Sequence, residues 1–106
     1  MKRYEIRWAD LDPTLGSEMK KTRPVVIVSL DVLNEVLSTV TVCPLTSQLR
    51  PEWRTRLTAK SASRDADIAV DQIRTISKSR IGNKLGALTQ REAAMLRRLI
   101  TEMYGE

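Results

Sequence analysis

"TRPVVIVSL", residues 22–30, holds four β-branched residues in succession, Val25, Val26, Ile27 and Val28. A strand with one wet face alternates apolar and polar residues. A run with no polar position reads as a strand buried on both faces or nearly so. Pro24 is tolerable at its start, where the first residue need not donate to a ladder. The chain has only 106 residues, so part of a sheet face around such a strand is open to cover by a second subunit.

Reading outward from this strand, "YEIRWADL" (4–11) alternates around Ile6 and Trp8 and is expected to be a first strand. Between the two, "DPTLGSEMKKT" (12–22) carries turn chemistry in Asp12-Pro13 and Gly16 and reads as a loop. "LDVLNEVL" (30–37) has apolar residues at helical spacing, which predicts a short helix with Ser29 or Asp31 as its cap. "TVTVCPLT" (39–46) is a further strand, and "SQLRPEWR" (47–54), with its central Pro51, a loop. "TRLTAK" (55–60) and "DIAVDQIRTIS" (67–77) are expected as strands joined by a turn at "SASRDA" (61–66). "KSRIGNKLGAL" (78–88) holds two glycines and a final short strand. Thr89 and Glu92 form a T-x-x-E capping box. The stripe Leu96, Leu99, Ile100 and Met103 then predicts a C-terminal helix packed on the sheet. The expected fold is mainly β, a small bent antiparallel sheet or barrel sealed by that helix, in one domain over residues 1–106.

Bulk composition narrows the function. Hydrophobic residues at 42% and charged residues at 29% suit a globular protein. No apolar run approaches the roughly 18 residues of a membrane span, and "MKRYEIRW" lacks a signal-peptide core. A cytoplasmic protein with no membrane partner is expected. Cys43 is the only cysteine, which excludes an internal disulfide, and its apolar strand suggests a small buried hydrophobe. There is no histidine. That removes Ser-His-Asp and Cys-His triads, His-ligated zinc and two-histidine RNA cleavage. A net charge of +5 is compatible with nucleic acid or with an anionic protein.

Four places are candidates for chemistry. Arg23, beside Pro24 at a strand mouth, presents a permanent cation whose fork fits phosphate oxygens; an ordinary surface arginine, or one paired with Glu18 or Asp12, is the plainer reading. Thr46 stands where a strand gives way to a loop, though a threonine there often only satisfies a turn. Asp71 and Gln72 sit in an otherwise β-branched strand and call for partners. Trp53, between Arg50 and Arg54, suits a base-stacking platform for single-stranded RNA or DNA, or a loop anchor. Asp10 and Asp12 have the chemistry for a hard cation, but turn initiation is the commoner use.

Five stretches, "IRWADLDPTLGSE", "KTRPVVIVS", "VCPLTSQ", "ADIAVDQIRTISKSRI" and "LGALT", together resemble the MazF/PemK family of toxin endoribonucleases from type II toxin–antitoxin systems, nearer its MazF branch. The resemblance implies an SH3-like β-barrel of the MazF/CcdB type with a C-terminal helix, assembled as a homodimer. It implies sequence-specific cleavage of single-stranded RNA without a metal or other cofactor. The 2′-hydroxyl attacks the adjacent phosphorus, leaving a 2′,3′-cyclic phosphate and a 5′-hydroxyl. A cognate antitoxin is the implied protein partner. Matched motif by motif, the catalytic group is Arg23, Thr46 and Glu18, with Asp71 and Gln72 on the RNA. Lys20, Lys21, Ser47, Gln48, Trp53 and Arg54, in or beside the loops 13–22 and 47–55, complete the expected RNA-binding set. Two departures stand out: Tyr4 occupies a place where the family usually has glycine, and Ala69 one where the PemK branch has arginine. A non-enzymatic gyrase poison on the same fold is the main rival, and an RNA-binding module without activity another. The presence of both Arg23 and Thr46, and an ending "EMYGE", favour the nuclease.

Overall fold

The computed structural model describes residues 1–11, 22–50, 52–61 and 64–105. Strands β1 (Glu5–Asp10), β2 (Thr22–Ile27), β3 (Thr39–Thr46), β4 (Arg56–Ser61), β5 (Arg64–Ala69), β6 (Arg74–Ser77) and β7 (Ile81–Ala87) form one curled antiparallel sheet, half a barrel. Its order is β4-β5-β3-β2-β1-β7, with β6 also paired to β3. Helix α1 spans Asp31–Val36, and α2 spans Gln90–Tyr104. Among the described residues no helix is long and apolar enough to cross a membrane.

Burial on both faces explains the unbroken apolar run of β2. Val26 and Val28 belong to the main core with Ile6, Cys43, Leu45, Ile68 and Leu96. Val25 and Ile27 point the other way, into a smaller cluster with Ala9, Leu11, Val40, Val42 and Ile76. The main core is closed by α2, where Ala93 and Leu96 are buried and Leu99, Ile100 and Met103 pack alongside. The capping box forms: Glu92 N–H donates to Thr89 Oγ1 at 3.1 Å, and Thr89 N–H to Glu92 Oε1 at 3.0 Å. The other carboxylate oxygen of Glu92 accepts from the backbone N–H of Lys60 at 3.3 Å, which ties the helix start to β4.

Several local expectations change. The segment 67–77 is not one strand, since β5 ends at Ala69 and Val70–Gln72 turn through a 3-10 segment before β6. The cause is register along β3. Leu45 pairs with Ile68 and Val42 with Arg74. Five residues, 69–73, therefore face only two, Cys43 and Pro44, and the surplus is ejected as an oversized bulge. Pro44 has no N–H to carry a ladder at that point. The expected 61–66 turn is shorter, because the Arg64–Ala66 backbone already pairs with β4. Neither expected cap serves α1: Leu30 occupies the N-cap without a side-chain bond. Asp31 instead accepts the N–H of Arg3 at 2.7 Å, and the Ser29 hydroxyl binds Asn34 and the N–H of Thr41. Ile6 and Trp8 share a face, as the alternation predicts, in an unbroken register with β2, but Ile6 is buried while Trp8 is 40% exposed.

Tyr4 retains a left-handed turn at φ 72°, a conformation costing a non-glycine residue about 1–2 kcal/mol. Its ring packs against the main core beneath the Arg3 guanidinium, 4.7 Å from the centroid. The ring is part-buried and its hydroxyl is shielded without a hydrogen-bond partner among the described residues, so packing of the ring is set against both the turn and an unsatisfied polar group. Its neighbour Glu5 is nearly buried, and burial alone would raise its carboxyl pKa. The Lys2 N–H, the Arg7 guanidinium at 2.8 Å and Lys84 at 3.5 Å outweigh that and hold it at about 2, against an ordinary 4.5. A lowered carboxylate pKa stabilises the fold above the ordinary value and is lost as pH falls toward the folded one. Glu5→Gln is therefore expected to be less stable than the parent at pH 7. In urea titrations the gap should close between pH 4.5 and about 2; a gap constant across that window would disprove the linkage.

Candidate active site

The sheet sets the candidate residues in a row. Ala9 of β1 faces Arg23 of β2. The β2–β3 ladder pairs Ile27 with Val42, Val26 with Cys43 and Val25 with Pro44; Arg23 and Thr46 each stand two residues past its last pair, at the same end of the two strands. Thr46 pairs in turn with Asp67 of β5, and Asp67 with Thr58 of β4. Directly opposed residues of a ladder project to one face. Ala9 belongs to the smaller cluster, so this row runs along the face away from α2.

Arg23 is half-buried, and its Nε is shielded from solvent with no hydrogen-bond partner among the described residues. An unpartnered, shielded guanidinium edge is costly to keep. Thr46 does satisfy a turn: its Oγ1 accepts from the N–H of Gln48 at 3.1 Å. That bond uses an oxygen lone pair and leaves the hydroxyl proton free to be donated. The two residues thus offer a cation and a neutral donor side by side.

Asp71 and Gln72 are exposed on the 3-10 turn rather than within a strand. Asp71 accepts from Arg56 Nε at 3.2 Å. The Arg56 side chain is only 8% exposed, and its guanidinium lies 4.8 Å from the centre of the Trp53 ring. Arg50 lies over the same ring at 5.6 Å. Trp53 is therefore bracketed by cations, an arrangement that ties the 3-10 turn to the 47–55 loop. Ser47, Gln48 and Arg54 are exposed along that loop, and Arg54 reaches Glu102 of α2 at 3.8 Å. A cavity of about 220 Å³ between β4 and α2, lined by Arg54, Arg56, Leu57, Met95, Arg98, Leu99 and Glu102, opens beside this cluster but does not include Arg23 or Thr46.

Glu18, Lys20 and Lys21, with Asp12, lie outside the described residues. Cys43 is buried, and burial together with the negative charge of Asp71 pushes its thiol up to about 12, so it is a poor nucleophile. Among the described residues no group of three His, Cys, Asp or Glu side chains is placed to hold a metal ion. Two polar residues of this region, Arg56 and Asp67, were not singled out from the sequence. An aspartate opening the apolar stretch "DIAV" is the signal that would have found the second.

Residues 2–104 match the family described as PemK-like, MazF-like toxin of type II toxin–antitoxin systems. Among curated proteins, the endoribonuclease EndoA of Bacillus subtilis is 34% identical over 90 residues, spanning 80% of this chain and 78% of that protein. The endoribonuclease MazF of Staphylococcus saprophyticus is 33% identical over 97 residues, spanning 87% of this chain and 81% of that one. Among solved structures, MazF of Deinococcus radiodurans superposes with a TM-score of 0.84 at 20% identity, over 100% of this chain and 97% of that one. A mycobacterial endoribonuclease in complex with its cognate antitoxin superposes with a TM-score of 0.81 at 20% identity, over 99% and 95%. At those identities the structures bear on the fold alone.

Proposed function

Since the chain belongs to the family of PemK-like, MazF-like toxins of type II toxin–antitoxin systems, and its curated relatives are endoribonucleases, we infer that it is an endoribonuclease toxin held in check by a cognate antitoxin. We propose further that it cuts single-stranded RNA at preferred sequences in the cytoplasm, halting translation, by attack of a 2′-hydroxyl on the adjacent phosphorus. The new O2′–P bond forms as the P–O5′ bond breaks, leaving a 2′,3′-cyclic phosphate and a 5′-hydroxyl. The observation that carries this reading is the unpartnered, shielded Arg23 Nε on β2, together with the Thr46 hydroxyl at the end of β3, the strand that pairs with β2.

Charge grows on the non-bridging phosphate oxygens during in-line attack. Preorganised donors aimed at such charge are worth about 2.7–4 kcal/mol each in comparable sites. Arg23 and Thr46 are assigned this task. An arginine side chain, with a pKa above roughly 12, is a poor base near neutrality, so Arg23 acts as an electrostatic clamp. Glu18 is assigned the 2′-hydroxyl proton, because the chain has no histidine to take it. Asp71, Gln72, Lys20, Lys21, Ser47, Gln48, Trp53 and Arg54 are assigned to the RNA on either side. The Arg50 guanidinium beside the exposed Trp53 ring supports an RNA face in which a guanidinium meets phosphate.

A homodimer is part of the same reading. Leu30, Val32, Leu33, Val36 and Leu37 on and beside α1 are all exposed, Val36 by 71%. A contiguous apolar surface of this kind on so small a chain is characteristic of an interface. Sedimentation of the isolated protein is expected to give the mass of two chains; the mass of one would refute this part.

The activity itself is tested by incubating the protein with a long RNA in EDTA. Cleavage with 5′-hydroxyl ends is expected. Intact RNA together with blocked DNA supercoiling would point to a gyrase poison instead. Arg23→Ala is expected to slow cleavage at least about 100-fold, and Glu18→Gln strongly as well. Near-full rates in Glu18→Gln would remove Glu18 from the role of base.

A further inference from the structure

Asp67 is a carboxylate with 0% exposure on a strand whose flanking residues, Ala66 and Ile68, belong to the main core. A buried charge is costly unless its oxygens are hydrogen-bonded. Both are. Oδ1 accepts from the Thr58 hydroxyl at 2.7 Å, across the β4–β5 ladder. Oδ2 accepts from the backbone N–H of Arg50 at 2.6 Å, in the 47–55 loop. Asp67 also stands directly across from Thr46, the residue from which that loop departs.

The anchor extends through the loop. Gln48 N–H is held by Thr46 Oγ1 at 3.1 Å. Arg50 N–H is held by Asp67, the carbonyl of Arg50 accepts from Trp53 N–H at 2.9 Å, and the carbonyl of Trp53 accepts from Arg56 N–H at 3.3 Å. The backbone from which the Arg50 guanidinium reaches over the Trp53 ring, at 5.6 Å, is thereby held. Each of these bonds joins the loop to the sheet or to itself, and among the described residues the Asp67 bond is the one that reaches Arg50 from the buried row.

We propose that Asp67 is a positioning residue that holds the 47–55 loop in the conformation with which it selects the RNA sequence around the cut. This rests on the endoribonuclease reading above. Asp67 touches neither the scissile phosphate nor the bases; it acts through Arg50 and the turn built on it. Loss of the anchor therefore weakens selective binding more than the chemical step, because Arg23 and Thr46 belong to strands that remain paired.

The test compares the parent with Asp67→Ala, Asp67→Asn and Thr58→Ala. Four quantities are read: kcat and KM on a short RNA carrying the preferred site, the map of cleavage ends on a long RNA, and hydrogen exchange at the Arg50 amide. Asparagine can accept from Arg50 N–H through its oxygen and donate to Thr58 through its amide, so it should restore most of the parent behaviour. Asp67→Ala is expected to raise KM about tenfold or more, from the loss of a charged hydrogen bond. In that variant kcat should change less than about threefold. Cuts should also appear at sites the parent leaves intact, with faster exchange at Arg50. If Asp67→Ala fails to fold, Thr58→Ala, at an exposed position, carries the test with a smaller rise in KM. Parent KM and an unchanged cleavage map in a folded variant would overturn this proposal alone. A parent protein that cuts no RNA would overturn the reading it rests on.

Discussion

The break in pairing along one edge of β3 is the constraint from which the rest of the structure follows. One edge of this strand pairs with β2, while the other is shared by β5 at residues 45–46 and β6 at residues 39–42. Five residues cannot pair with two, so the chain leaves the sheet between them. That single mismatch presents Asp71 and Gln72 to solvent on a 3-10 turn. It lets the sheet curl, because strands that share an edge at a bulge diverge in direction. It also leaves the Thr46 end of β3 between β2 and β5, flanked by Arg23 and Asp67.

Electrostatics along this row is divided by burial. Asp67 is sealed and fully bonded, Arg56 is nearly sealed and held by Asp71, and both serve to hold backbone in place. Arg23 differs in having a shielded Nε with no partner among the described residues. A protein interior normally satisfies such groups; among the described residues the Tyr4 hydroxyl is likewise shielded without a partner. The loop that leaves Thr46 and the turn that carries Asp71 converge on Trp53 through Arg50 and Arg56, so recognition and clamping surfaces share one support.

Much of this was legible in the sequence where the signal is local. The apolar run of β2 announced burial on both faces, and the 3.6-residue stripe with its capping box announced α2. Arg23 and Thr46 were singled out by their motifs, and their catalytic role is the proposal made above. What escaped was set by partners distant in sequence. "DIAVDQIRTIS" reads as one strand because nothing within it shows that its pairing partner offers only Cys43 and Pro44 at the break. Ser29 and Asp31 have capping chemistry, but their bonds go to Asn34 and Thr41 and to the N-terminal segment. Asp67 and Arg56 were passed over because their value lies in Arg50, Thr58, Asp71 and Trp53, which no spacing rule connects to them. Ala69, the second departure from the family pattern, is buried at the end of β5.

A double-mutant cycle on cleavage rate tests most directly whether Arg23 and Thr46 act on one phosphate. Arg23→Ala, Thr46→Val and the double variant would be compared on the same RNA. Two groups stabilising the same developing charge should be coupled, the double variant losing less than the two single losses added together, by more than about 1 kcal/mol. Losses that add to within about 0.5 kcal/mol would mean that the two residues act independently, and the row across β2 and β3 would not be the active centre.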